Sequence, residues 1–195
     1  YYGLNEEEVQ SVVDKKLSKD EEKINDLISH AKEHNLTLLS HDDDCIEKLD
    51  GLLNLGVQIS EFPLDLEVAK YAVSKGIATG MGAPNIVRGG SQGGNIAAIE
   101  LVKEDVCKYL CSDYHPTSML QAVYRMKEDA NLDIAKGFSM VTSTPAKYAN
   151  LDDRGEIAVG KKADIIVIDD THIPKVVLTL KDGDSIYNGI RGFRL

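Results

Sequence analysis

The chain is short of cations, of cysteine and of long apolar runs, and each shortage excludes something. Its 22 lysines and arginines face 32 acidic residues, a formal net charge of -10 over 195 residues. Phosphate backbones demand clustered cations, so a nucleic-acid surface is excluded. A small anion held at a local site is not. No apolar run approaches the ~20 residues of a membrane span, and no membrane partner is expected. The residues from Tyr1 onward are polar and acidic and do not read as a secretory signal. Three cysteines are too few for a disulfide scaffold and suit a reducing compartment, so the expected location is cytoplasmic. Cys45, Cys107 and Cys111 are read as packing residues. The first residue is Tyr rather than Met, and the chain is expected to be a piece of something longer.

Glycine, by contrast, is concentrated: six of the 16 glycines fall between Gly80 and Gly94. An apolar run from Ile77 to Met81 leads into them, and an apolar-patterned segment from Ile96 to Val102 follows, with Asn95 in the N-cap position. Strand, glycine-rich loop and helix in that order let backbone N–H groups approach an anion without obstruction from Cβ atoms. Arg88 adds a planar donor fork suited to phosphate or carboxylate, beside the polar Ser91, Gln92 and Asn95. The alternative is an ordinary long loop that needs positive φ at several positions.

The surrounding chain cycles between two patterns. Val9, Val12, Val13 and Leu17 have helical spacing after an acidic start, as do Ile24, Leu27, Ile28 and Ala31 after Asp20. Then short apolar runs of four to six residues alternate with helical faces: Leu36–Leu39, Val57–Ser60, Ile77–Met81 and Val106–Cys111. Such succession predicts a parallel sheet covered by helices, either doubly wound or part of a (β/α)₈ barrel. Each run ends in a polar or glycine-rich cluster, which is the barrel's habit; a doubly wound sheet gathers its chemistry at one crevice. The expected fold is therefore α/β: residues 1–150 form the C-terminal half of a barrel, and residues 151–195 a small β-sandwich segment. Within the latter, Asp182-Gly183 is a hairpin signal.

His41 follows its strand directly and precedes three aspartates, a plausible position for a neutral imidazole metal ligand with a carboxylate, Asp42, behind it. The bland reading makes Asp42 to Asp44 the acidic first turn of a helix. Asp113 ends the fourth strand, where an acid can bind a metal and accept a proton from water. Glu61 is placed in support. His30, His34 and His172 are read as solvated.

These strand-end residues, with Arg154-Gly155-Glu156-Ile157-Ala158-Val159-Gly160-Lys161-Lys162-Ala163-Asp164, resemble the C-terminal half of amidohydrolase-superfamily enzymes. Ser40-His41-Asp42-Asp43, Ile59-Ser60-Glu61-Phe62-Pro63, Met81-Gly82-Ala83-Pro84-Asn85, Arg88-Gly89-Gly90-Ser91, Gly94-Asn95 and Ser112-Asp113-Tyr114 are similar to one family there. That family comprises the metal-dependent diphosphatases of the carbon–phosphorus lyase pathway, which act on alpha-D-ribose 1-methylphosphonate 5-triphosphate. The resemblance implies hydrolysis that releases diphosphate from a small phosphorylated substrate. It implies His41 and Asp113 as metal ligands, Asp113 as the catalytic carboxylate, and Gly82, Asn85, Arg88, Ser91, Gln92 and Asn95 at the substrate. It also implies a divalent metal, with zinc ahead of manganese or iron. The family usually carries His where this chain has Gln92. Its first half, with the paired histidines of the first barrel strand, has no counterpart here, so the chain alone is expected to be inactive, to hold no metal tightly and to self-associate as a homodimer. The competing expectations are C–N bond hydrolysis, and a half-barrel that catalyses nothing.

Overall fold

The computed structural model describes residues 21–91 and 93–190, together with Glu7. The chain divides into two compact units, residues 1–36 and 37–195. In the first, helix α1 (Glu21–Glu33) occupies the second of the two expected helical segments and stops at left-handed Asn35, φ 51°. The helix expected from Val9 to Leu17 lies outside the described residues.

The second unit opens with strand β1 (Leu39–His41), helix α2 (Ile46–Leu55), strand β2 (Ile59–Glu61) and helix α3 (Leu66–Ser74). Strand β3 (Ala78–Gly82) leads directly into the short helix α4 (Ala83–Arg88), and helix α5 (Ala98–Lys103) precedes strand β4 (Tyr109–Cys111). The four strands pair in chain order and all in parallel. Local chemistry explains the helix ends. Gly56 stops α2 with φ 85°, and the Asp65 carboxylate caps α3 by accepting from the Glu67 and Val68 N–H groups.

Alternation along the strands sorts residues onto two faces. Ser40, Ser60 and Thr79 share one register row and are all buried. Leu39, Ile59 and Ala78 share the row that faces the other way, and the next row on that face is His41, Glu61, Gly80 and Tyr109. The helical side carries the main core: Met81 and Leu110 pack with Ile86, Leu101, Val123 and Met126. The opposite face holds a smaller cluster of Ile59, Ala78 and Tyr109, with Tyr148 against it.

Helices α6 (Ser118–Ala130), α7 (Ile134–Ser139) and α8 (Ser143–Tyr148) follow. They cover the β4 side, where the Leu110 N–H donates to the Met140 carbonyl. Strands β5 (Ile165–Asp169), β6 (Lys175–Lys181) and β7 (Asp184–Asn188) form one antiparallel sheet. Its tight turn is the expected Asp182-Gly183, both left-handed at φ 51° and 92°. Among the described residues no helix is long and apolar enough to cross a membrane.

Candidate functional site

His41 and Glu61 are the last residues of β1 and β2 and lie in register. The residue after each, Asp42 and Phe62, is left-handed (φ 54° and 55°), so the chain turns sharply at the same end of both strands. Asp113, two residues past β4, is left-handed too, φ 48°. These turns place the polar side chains at the C-terminal edge of the sheet. His41 Nδ1 stands 3.1 Å from Asp42 Oδ2, and Nε2 stands 4.0 Å from Glu61 Oε2. A carboxylate at Nδ1 favours the tautomer that carries its proton there and leaves Nε2 as the acceptor nitrogen. The ring lies 5.0 Å from that of Phe62.

A cavity of about 260 Å³ opens at this edge. Of the residues singled out from the sequence, it is lined by His41, Asp42, Gly82, Asn85, Arg88, Ser91, Asn95 and Asp113. Glu61 stands behind His41 rather than in the lining. Gln92 lies outside the described residues. Arg88 is held in place from two sides: Nε donates to the Gly90 carbonyl at 3.2 Å and Nη1 to the Tyr114 hydroxyl at 3.0 Å. Gly82 keeps the mouth open beside Asp113, since a Cβ there would come within 3.5 Å of Asp113 Oδ2 and 3.0 Å of the Phe62 ring.

Two expectations for the glycine-rich stretch are corrected. It is not a single loop, because residues 83–88 form α4, whose Ala83, Pro84 and Ile86 are buried and whose end is left-handed Gly89. Nor does Asn95 cap the helix that follows. The N-cap is Ala97, and Asn85 Oδ1 accepts from the Ala98 N–H at 2.9 Å instead. With α5 only six residues long, no helix end is offered to an anion there, and Arg88 is the one cationic side chain that the described residues bring to the cavity lining.

Three side chains are tied to the site through contacts that local pattern does not indicate: Tyr114 holds Arg88, the Tyr109 hydroxyl donates to Glu61 Oε1 at 3.4 Å, and Asp43 is fully buried. Burial pushes the Cys107 thiol up to about 12 and the Cys111 thiol up to about 11. Both are neutral near pH 7, as packing residues should be.

His41 and Asp113 offer an imidazole and a carboxylate to one cavity, the donor types a divalent metal takes. Among the described residues, however, no three His, Cys, Asp or Glu side chains converge. These residues alone do not complete a metal site.

Parallel strands under helices gather their polar side chains at the strands' C-terminal ends, as the sites of α/β folds commonly do. The amidohydrolase family model matches residues 12–192, and the chain belongs to that family. Over 142 residues it is 41% identical to alpha-D-ribose 1-methylphosphonate 5-triphosphate diphosphatase of Escherichia coli (strain K12), covering 71% of this chain and 38% of that protein. The chain thus spans well under half the length of that relative. Among solved structures, an amidohydrolase from Thermotoga maritima MSB8 superposes with a TM-score of 0.61 at 20% identity, over 78% of this chain and 43% of that one. The A. niger ochratoxinase matches with a TM-score of 0.61 at 15% identity, over 86% of this chain and 46% of its own. At these identities the structures speak for the fold alone.

Proposed function

We propose that this chain is the C-terminal half of a metal-dependent (β/α)₈ hydrolase that releases diphosphate from a triphosphate of the alpha-D-ribose 1-methylphosphonate 5-triphosphate type. One observation carries the reading. A single cavity combines a guanidinium, held by Gly90 and Tyr114, with an imidazole and a carboxylate at strand ends. A phosphate chain needs the first, and attack by water needs the others.

In this reading Arg88 pairs with phosphoryl oxygens through a charge-assisted fork, and Ser91 and Asn95 flank it. Asp113 accepts the proton of the attacking water as its oxygen bonds to phosphorus. The bond between that phosphorus and the bridging oxygen of the diphosphate breaks, and the ribose 5-phosphate is left behind. Asp42 orients His41 through Nδ1. A divalent metal, zinc or else manganese or iron, belongs to the reading, with His41 and Asp113 as this chain's two donors. A neutral amide would make no use of Arg88, which is why phosphate is preferred over C–N hydrolysis. Self-association as a dimer also belongs to the reading. It is motivated by Leu39, 52% exposed on the same face as Ile59 and Tyr109, and is checked by sedimentation.

The deciding experiment offers the full-length protein the ribose triphosphate and, separately, a panel of amides and ring amines, and assays diphosphate and ammonia. Diphosphate from the first with no ammonia from the second is expected. Ammonia release, or inorganic phosphate in place of diphosphate, would sink the reading.

A further inference from the structure

Asp43 is completely buried, and its carboxylate joins three elements. Its Oδ2 accepts from Ser40 Oγ at 2.6 Å and from Ser60 Oγ at 2.5 Å. The two serines face each other in register on β1 and β2, each one residue before the strand-end His41 or Glu61. Its Oδ1 lies 3.0 Å from Nζ of Lys48 on α2, an ionic contact without hydrogen-bond geometry. That same ammonium donates to the His41 carbonyl at 3.2 Å and to the Asp42 carbonyl at 2.9 Å. On its backbone side Asp43 accepts from the Leu64 N–H at 2.9 Å, and the Leu64 carbonyl accepts from the Ile96 N–H at 3.3 Å. Leu64 and Ile96 are walls of the cavity.

A buried carboxylate of this kind is an expensive way to fasten two strands. Removing an ion from water costs several kcal/mol even after relaxation, and apolar residues of similar volume often hold a fold as well or better. What apolar residues cannot do is grip two successive carbonyls. The gripped carbonyls belong to His41 and to left-handed Asp42, the turn that sets Asp42 Oδ2 against His41 Nδ1.

We infer that the Asp43–Lys48 pair is a positioning device that holds the His41–Asp42 turn, and with it the orientation and tautomer of the His41 ring. Neither residue touches a substrate in this role. The inference concerns the same cavity as the proposed hydrolase, but it is read on the imidazole itself, so it stands or falls independently of the substrate.

The test uses full-length protein stripped of metal with a chelator and labelled with ¹⁵N-histidine, with the His41 ring nitrogens identified by their loss in His41→Gln. In the native protein the two ring shifts should be well separated, with the proton on Nδ1. In Lys48→Met, which keeps the length of the side chain and removes its charge, that separation should collapse as the tautomers mix. Lys48→Arg should keep it, and the rings of His30, His34, His115 and His172 should not move in either variant. An unchanged His41 pattern in Lys48→Met overturns the inference. So does a parallel change of all five histidines in both variants, because the pair would then be a general stabilising element.

Discussion

The ring of Tyr109 occupies the space in which a side chain on Gly80, its register partner, would stand: a Cβ on that glycine falls 2.2 Å from the tyrosine Cζ. The tyrosine itself is buried, and its hydroxyl reaches Glu61. Gly80→Ala should therefore destabilise the protein by roughly 1–3 kcal/mol through overpacking. In the Tyr109→Ala background the same change should cost far less, a coupling of about 1 kcal/mol or more in a urea-denaturation cycle. Simple additivity would show that the ring is not the obstacle.

Arg88 is exposed, and its loss should leave folding nearly untouched, within about 0.5 kcal/mol. Arg88→Ala in the full-length protein should lower kcat/KM for diphosphate release by the equivalent of about 1.5–3 kcal/mol. Arg88→Lys should recover only part of that, because a point charge replaces a fork. Unchanged kinetics in Arg88→Ala would assign the residue to the structure of the loop.

Asn85 has a structural duty besides lining the cavity. Its Oδ1 satisfies the first N–H of α5, so Asn85→Ala should cost about 0.5–2 kcal/mol of stability, as loss of a cap does. Asn85→Asp keeps the acceptor and should lose less. Equal midpoints for the three proteins in thermal melts would contradict this.

Raised thiol pKa values make stability fall in alkali. Below pH 9, the ordinary value for the thiol, Cys107 is protonated whether folded or unfolded, and the full stability is present. Between 9 and about 12 the unfolded chain loses that proton while the folded chain keeps it, so stability should decline through this window. Cys107→Ala should flatten the decline in denaturation curves collected from pH 8 to 11. An identical slope in the variant would mean that other groups govern it.

Much of this protein was legible from local pattern. Four short apolar runs with helical faces between them suffice for a parallel α/β layer, because side-chain period and helix length are properties of neighbouring residues. The same is true of Gly56, Asp182-Gly183 and the strand-end placement of His41. Other features depend on residues far apart in the chain. Helix α4 is six residues long and set among glycines, too short to be stable alone; it forms because Ala83, Pro84 and Ile86 are buried in the core. Asn85 and Asn95 are equally good caps by composition, and only packing brings the first to α5. Leu38 and Leu39 are equally apolar, and local pattern does not say which of them shares a face with Ile59 and Tyr109. The register puts Leu39 there with Ile59 and Tyr109, and a shift of one residue is enough to reverse a side chain. Asp42, Asp43 and Asp44 are alike to any local rule. Asp43 is the buried one because Ser40 and Ser60, 20 residues apart, meet across two paired strands and leave a place for one carboxylate between them.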